Sequence, residues 1–247
     1  IRPVSDFVVI LEGAHRAAAT AEALRDRPYL QDRPVTIQNL EAGGTLVFME
    51  PPGAGYALHR QANLIIAAAG RPHLVGVDHG ALGAGGFGQA FARALSDERA
   101  ATLAMAGMGV CLVAEPDRLR LFTDRMGSRP VYVGYDRAGR IAAVGTLVEP
   151  LASLAGRHLD VDRVSMAELL VYNAVTFPYT SRVGIQELPP ASCTLLRTNS
   201  RTLTISTYWS PREPDRWPAA DELAEQLTDA IRDSGADTTL GCRRVAV

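Results

Sequence analysis

The sequence contains no lysine: all 25 basic side chains among its 247 residues are arginine. This absence excludes mechanisms that depend on a lysine, such as a Walker-type phosphate loop, a Schiff base or a lysine general base. The 27 acidic side chains leave a formal net charge of only −2, which gives no long-range field to hold a polyanion or an anionic lipid surface. We therefore expect neither nucleic acid nor a membrane as a partner.

Cysteine is scarce, and long apolar runs are absent. Cys111, Cys193 and Cys242 are odd in number and far apart, so neither a disulfide framework nor a zinc site is indicated, and a reducing cytoplasm is the expected location. The longest apolar stretch, Ala62 to Gly70, is much shorter than the ~20 residues of a membrane helix. No basic segment followed by a long apolar one opens the chain, so no export signal is predicted.

The histidines and the glycine-rich segment favour no cofactor or metal. The histidines have no His-x-His or His-Glu-x-x-His spacing, so surface positions are favoured for His15, His59, His73, His79 and His158. The loop Gly83 to Gly88 is similar to a phosphate-cradling loop but lacks a convincing preceding strand and an acidic residue for a ribose. A flexible loop leading into a helix is the prediction, with no metal-binding or cofactor-binding residue assigned.

The body of the chain is predicted to consist of short strands, hairpins and a few helices. Breakers follow two of the strands, Pro51-Pro52 after the second and Gly70-Arg71-Pro72 after the third. The predicted strands cover residues 7–11, 46–49 and 63–69; the helices 14–25, 87–95, 149–155 and 165–173, with Asp162 or Ser165 near an N-cap; the hairpins 110–122, 131–144 and 192–208. Successive hairpins predict an antiparallel sheet.

The last part of the chain has a different pattern. Ser210 to Pro218 is rich in proline and charge and is predicted to be a linker. Ala219 to Asp233 shows a helical apolar stripe with acidic residues in its first turn, and Val245-Ala246-Val247 begins a buried strand. We expect a domain over residues 1–209, a linker over 210–218, and the first helix and strand of a second domain over 219–247, the strand pairing with strands outside residues 1–240.

Four motifs appear in the same order as in a known family. They are Asp124-Arg125-Met126-Gly127-Ser128-Arg129-Pro130-Val131-Tyr132, Glu149-Pro150-Leu151, Leu188-Pro189-Pro190-Ala191-Ser192 and Tyr208-Trp209-Ser210-Pro211. In order and spacing, this set resembles the amino-terminal half of the asparagine synthetase family, over residues 103 to 247. The resemblance implies an α+β domain, a four-layer αββα sandwich of the N-terminal-nucleophile hydrolase type. It also implies a following α/β ATP-pyrophosphatase domain, whose first strand would include Val245 to Val247. Arg125 and Arg129 would then be structural ion-pair or turn residues.

Active members of that family hydrolyse glutamine with an N-terminal cysteine whose own α-amine is the base. Residues 1–6 contain no cysteine, and Cys111, Cys193 and Cys242 carry no free α-amine. By the same resemblance, Ala69 stands where an asparagine would stabilise the oxyanion, and Ala106 where an aspartate would bind the substrate amine. An alanine side chain cannot donate to an oxyanion, and the loss of one such donor costs ~10²–10³ in rate. We therefore assign no catalytic residue and expect an inactive glutaminase domain.

Three hypotheses follow. The favoured one is an ATP-dependent amide-forming ligase with a silent amidotransferase domain, similar to the lasso-peptide cyclases and β-lactam synthetases. The second is an ordinary glutamine-hydrolysing asparagine synthetase whose N-terminal cysteine precedes Ile1, and the third is a non-catalytic protein-binding scaffold. A Ser-Gly-Gly-x-Asp-Ser loop after Val247 would support the first two, and Met-Cys-Gly before Ile1 would single out the second.

The favoured hypothesis implies specific partners. A synthetase domain, in the same or a separate chain, would bind ATP and Mg²⁺. A precursor peptide with its processing proteins, and a second copy in a homodimer, are further expected partners.

Overall fold

The computed structural model describes residues 5–11, 15–25, 33–50, 58–75, 77, 86–97, 101–102 and 104–239. Within these ranges the chain is an α+β protein of twelve strands and five helices. The strands are β1 (Asp6–Ile10), β2 (Val35–Asn39), β3 (Thr45–Met49), β4 (Leu58–Gln61), β5 (Leu64–Leu74), β6 (Met105–Ala114), β7 (Leu119–Thr123), β8 (Tyr132–Tyr135), β9 (Ile141–Gly145), β10 (Ile185–Glu187), β11 (Ser192–Arg197) and β12 (Thr202–Thr207). The helices are α1 (His15–Arg25), α2 (Gly86–Ala94), α3 (Val148–Leu154), α4 (Arg163–Tyr172) and α5 (Ala220–Thr239).

The strands form two six-stranded antiparallel sheets. Sheet A has the order β10-β8-β9-β1-β3-β2, and sheet B has the order β12-β11-β7-β6-β5-β4. Within sheet A, β1 lies in the middle, with Val8 opposite both Val47 of β3 and Gly145 of β9. β7 in sheet B is followed directly by β8 in sheet A, so the turn between them joins the two sheets.

Three apolar clusters show how the layers stack. The central cluster joins side chains from both sheets, including Phe7 and Phe48 of sheet A and Leu112 and Leu121 of sheet B. The second packs α1 and α3 on the outer face of sheet A, and the third packs α2 on the outer face of sheet B, where Phe91 meets Phe122 edge-on at 5.4 Å between ring centroids. The described residues therefore form the αββα sandwich that the resemblance implied.

The predicted hairpins and helices are confirmed, with one strand boundary wrong. β5 does not stop at Gly70-Arg71-Pro72 but stays paired with β6 from Ile65 opposite Ala114 to Leu74 opposite Met105. The glycines at positions 70 and 109 explain this: Gly70 has φ +86°, and a Cβ on Gly109 would meet Pro72 Cδ at 2.5 Å. Gly70 and Gly109 face each other across the ladder, and because neither has a side chain, β5 and β6 can lie close together beside Pro72.

Several elements differ from the sequence-based prediction in extent. β2, β4 and β10 are additional strands at or next to sheet edges, where mixed polar and apolar residues hide the strand period. The last helix runs six residues further than predicted, through Gly235 to Thr239. Residues 211–217 are irregular and exposed, as expected of a linker. The predicted strand Val245 to Val247 lies outside the described residues.

An arginine network anchors the segment that carries α4. Arg182 binds the Glu149 carboxylate in a bidentate pair, at 2.9 and 3.0 Å, and donates to the His158 carbonyl. Arg157 donates to the Tyr135 carbonyl at 3.0 Å. The helix itself begins at Asp162, whose carboxylate accepts from the Val164 and Ser165 amides as the predicted N-cap.

Candidate functional site

The residues that lead into β1 form a buried polar cluster. Ser5 and Asp6 are 2% and 3% exposed. The Asp6 carboxylate accepts from Thr146 Oγ1 at 2.8 Å and pairs with Arg33 Nη1 at 3.2 Å and with Arg129 Nη2. Because β1 is antiparallel to β3 and β9, its first residue lies where those strands end, and Thr146 directly follows β9.

Arg129 connects this cluster to the other sheet. It belongs to the turn between β7 and β8, so its ion pair with Asp6 ties the head of β1 to the point where the chain passes from sheet B to sheet A. Burial of the guanidinium lowers the pKa of Arg129, and the neighbouring Tyr132 counteracts part of that effect. Burial also raises the pKa of the Tyr132 phenol, and the Glu187 carboxylate adds to that rise. Arg129 therefore makes an ion pair, as its interpretation as a structural residue predicts.

Asp124 organises the turn that presents Arg129. Its carboxylate accepts from the backbone amides of Met126, Ser128 and Arg129, at 2.9, 3.0 and 3.4 Å. It also accepts from the Gly109 amide of β6 at 3.0 Å and from Ser128 Oγ at 3.2 Å. A carboxylate with five donors is committed to holding backbone, so this stretch of the motif is architectural. Arg125 stacks on Trp209, with the guanidinium carbon 5.8 Å from the ring centroid.

The two alanines predicted at the donor and anchor positions do not meet. Ala69 lies on β5 opposite Val110, fully buried in the cluster between the sheets. Ala106 opens β6 opposite His73, four positions further along the same ladder, which is ~13 Å at the strand rise of ~3.3 Å per residue.

The other candidates have structural surroundings. Cys111 and Cys193 are buried on the two strands that flank Phe122 of β7. Burial raises the pKa of the Cys111 thiol, and Cys242 lies outside the described residues. Gly86 to Gly88 form the first turn of α2 rather than a loop, and Gly83 to Gly85 are not described.

His59 packs against α2 so closely that a Cβ added to Gly88 would lie 2.3 Å from the Cβ of His59. His59 and His73 are partly buried rather than on the surface, whereas His79 is not described. In the described ranges, no group of three or more histidine, cysteine and carboxylate side chains could hold a metal ion.

Sequence comparison finds no relative: no family model and no curated protein matches this chain. Structural comparison does find similar folds. A glutamine phosphoribosylpyrophosphate amidotransferase from B. subtilis, solved with ADP and GMP, shares 12% identity at a TM-score of 0.54, covering 85% of this chain and 50% of that one. A second structure, an allosteric regulatory enzyme of purine biosynthesis, shares 12% identity at 0.52, covering 84% and 49%.

The fold is therefore similar to that of the amidotransferase. The chain spans about half the length of the structures it matches. No described helix combines the length and apolar character that crossing a membrane requires.

Sequence reasoning missed the Asp6 cluster. Its members Asp6, Arg33, Arg129 and Thr146 are separated by up to 140 positions, so no local pattern links them. The available signal was a charged residue directly preceding the apolar run Phe7 to Ile10: an aspartate buried at the start of a central strand needs a cationic partner.

Proposed function

We propose that this chain is the amidotransferase-like part of an ATP-dependent amide-forming ligase and that its glutaminase site is silent. The observation that carries the proposal is which residues stand at the start of β1. In an active domain of this type a nucleophile with a free α-amine precedes the first strand. Here Ser5 has its amine in the peptide bond to Val4, and the next residue, Asp6, is buried in ion pairs with Arg33 and Arg129.

The chemistry of the cluster opposes hydrolysis of an amide. The Asp6 carboxylate accepts from Thr146 and pairs with two guanidinium groups, which stabilise its charged form, so it is a poor base for a nucleophile. The Thr146 hydroxyl is likewise committed, because it donates to Asp6 while accepting from the Phe7 amide at 3.2 Å. These residues stabilise the junction of the two sheets and leave no activated nucleophile among them.

The ligase half of the proposal rests on the four motifs and the amidotransferase fold. A synthetase domain would adenylate a substrate carboxylate with ATP and Mg²⁺, releasing pyrophosphate; an amine of the substrate would then attack the acyl adenylate, forming the amide and releasing AMP and a proton. A silent glutaminase fits a reaction whose amine comes from the substrate itself, as in the lasso-peptide cyclases and β-lactam synthetases. ATP and Mg²⁺ would bind outside these residues, and the role proposed for this chain is to pack on that domain.

Glutamine hydrolysis tests the silent site. We expect glutamate release at the level of a protein-free blank, and no mass increase after incubation with the glutamine analogue 6-diazo-5-oxo-norleucine. An active glutamine amidotransferase in the same assay is the positive control. Turnover of even ~1 s⁻¹ that iodoacetamide abolishes would overturn the proposal and support the glutamine-hydrolysing alternative.

The ligase half has its own test. The full-length polypeptide that contains these residues should release pyrophosphate from Mg-ATP only when its carboxylate substrate is present, and added glutamine should not raise amide formation. Amide formation that requires glutamine would contradict the proposal.

A non-catalytic scaffold is the second candidate, because α4 has an unusually apolar exposed surface. Leu170, Val171 and Tyr172 are 82%, 71% and 76% exposed. Contiguous exposed apolar side chains are typical of protein-binding surfaces. If α4 binds another protein, Leu170→Glu should abolish that binding with the melting temperature unchanged; full pyrophosphate release by the same full-length variant would show that the scaffold role is not the only one.

A further inference from the structure

The outer edge of sheet B ends in an unprotected strand. β12 pairs with β11 on one side, and its residues are exposed or half-buried along their whole length. The Tyr208 amide donates to the Ala191 carbonyl at 2.9 Å, which fixes the phase of the ladder. In an antiparallel pair the backbone groups of alternate residues point outward, so Leu203, Ile205 and Thr207 direct their N–H and C=O groups away from β11. No backbone of the described residues meets these six groups.

Most sheet edges are blocked by charge, proline, a bulge or a covering loop. The sequence of β12 is Thr-Leu-Thr-Ile-Ser-Thr, which contains no charged residue and no proline. Its register with β11 is continuous, so the strand has no bulge. The edges at β10 and β4 differ. The Glu187 amide of β10 is taken by the Pro178 carbonyl at 2.8 Å, and β4 carries Arg60 and packs on α2.

We propose that β12 binds an extended peptide as a seventh strand of sheet B, and that this peptide is acidic at the end that meets Arg197. The backbone ladder would supply affinity, and a branched apolar side chain of the peptide would cover Ile205, which is 45% exposed. Identifying this peptide as the substrate of an amide-forming ligase rests on the proposed function; the binding itself does not.

The charge of the hairpin indicates the acidic partner. Residues 192–211 contain no aspartate or glutamate, and the exposed Arg197 stands at the turn where β12 begins. Opposite charge at one end of a strand selects both partner and orientation. In the favoured antiparallel pairing, the carboxyl-terminal end of the peptide meets this turn.

The size of the edge favours a peptide over a second copy of this chain. Two β12 strands could pair about a two-fold axis at Ile205, but such a contact would bring six residues from each side. A specific protein–protein interface needs ~20–30 residues a side. A single strand that needs only moderate affinity fits the edge better.

The test uses the 247-residue chain and a defined probe, the acetylated and amidated peptide Thr-Val-Thr-Val-Thr-Glu-Glu. We expect saturable binding in fluorescence anisotropy and, in hydrogen-exchange NMR, an at least tenfold slower exchange of the Leu203, Ile205 and Thr207 amides. The amides of Thr204 and Ser206 already face β11 and should not change. Binding should weaken with added salt and with Lys-Lys in place of Glu-Glu.

Two variants separate backbone pairing from side-chain contact. Ile205→Pro removes an outward N–H without touching the β11 ladder, and edge strands tolerate such a proline; we expect at least tenfold weaker binding. Thr204→Ala keeps every outward backbone group and should bind normally. A peptide N-methylated at the residues that face β12 should also fail, which needs no change to the protein.

Other results would overturn the proposal. Unprotected Leu203, Ile205 and Thr207 amides at saturating peptide would exclude strand addition. Protection of the same amides without peptide, together with a dimer in sedimentation, would assign the edge to a second copy; the same protection in a monomer would assign it to another part of this chain. Because the assay contains neither ATP nor glutamine, its failure would leave the silent glutaminase and the ligase role standing.

Discussion

The Asp6 carboxylate is the residue on which the junction of the two sheets most depends. Its side chain is 5% exposed and pairs with Arg33, itself 11% exposed, and with Arg129. We expect Asp6→Asn to lower the free energy of unfolding by about 3 kcal/mol, because removing one partner leaves buried guanidinium charge uncompensated. Urea unfolding monitored by circular dichroism would measure the loss.

Asp117→Asn is the matched control for that change. Asp117 faces Arg118 at 3.9 Å, but its side chain is 63% exposed, so its loss should cost less than about 0.5 kcal/mol. Equal effects of the two substitutions would show that the Asp6 cluster is no more than a surface ion pair.

Tyr208 links a single residue to the pH dependence of stability. Its hydroxyl donates to the Thr123 carbonyl at 2.6 Å, and burial, with the nearby Asp124 carboxylate, raises the pKa of Tyr208 to about 12. Because a free tyrosine titrates near ~10, the folded state holds this proton more tightly than the unfolded state. The contribution is therefore fully present below pH ~10 and is lost as the pH rises toward about 12.

Tyr208→Phe should remove this pH dependence. At pH 7 it should cost about 1 kcal/mol, the net value of a typical hydrogen bond, and the difference from the unsubstituted protein should shrink as the pH rises from ~10 toward about 12. Urea unfolding across that range would show it. Tyr172→Phe, at a side chain that is 76% exposed, should leave the profile unchanged; a constant difference for Tyr208→Phe would contradict the assigned proton.

Among the elements, the β5–β6 ladder depends on two missing side chains. A Cβ on Gly70 would lie 2.4 Å from the Met108 carbonyl oxygen, and φ is +86° there. Gly139 has a similar φ of +76° but nothing within 4 Å of its Cβ position. Gly139→Ala should cost about 1 kcal/mol for the left-handed backbone alone, whereas Gly70→Ala should cost at least about 3 kcal/mol because strain and backbone collision add.

Denaturant midpoints of the two glycine variants would compare them directly. Equal midpoints would mean that the strands separate at no cost and that the close approach is unimportant. Should Gly70→Ala fail to fold, the yield of folded Gly139→Ala under the same expression conditions still separates collision from backbone strain.

How far the sequence predicts an element depends on what surrounds it. β1 and β6 were predictable because each contains an apolar run bounded by turns, and β7 because its residues alternate after the turn that follows β6. β2, at an edge, pairs only with β3 and has no such run. The exposed surface of α4 could not be predicted from the sequence. Leu169 and Leu170 are typical of a helix in the core, yet Leu170 is 82% exposed. The burial of this helix depends on which elements lie beside it and not on the spacing of its apolar residues.

At the scale of the whole molecule, the sandwich was predictable and the meeting of its parts was not. Successive hairpins and four ordered motifs were enough to imply two antiparallel sheets between helix layers. Which hairpin joins which sheet depends on the β7–β8 turn, and that turn is fixed by Asp124 contacts to Gly109 and by the Arg129 pair with Asp6. The same long-range contacts define the candidate site. The missing cysteine and the alanines at positions 69 and 106 predicted an inactive glutaminase, but no motif indicated these buried ion pairs.

The last prediction concerns the relation of α5 to the sandwich. Its apolar stripe is exposed, at 37% for Leu223, 62% for Leu227 and 63% for Ile231. A helix of 20 residues without a buried face is only marginally stable in water, so amides from Asp221 onward should exchange orders of magnitude faster than those of β1, which is buried throughout. Trypsin should cut the linker at Arg212 or Arg216 and leave a fragment with an unchanged melting temperature and near-UV circular dichroism. A lower melting temperature after the cut, or α5 exchange as slow as that of β1, would show that α5 packs on this domain, and the assignment of residues from 219 onward to a second domain would be wrong.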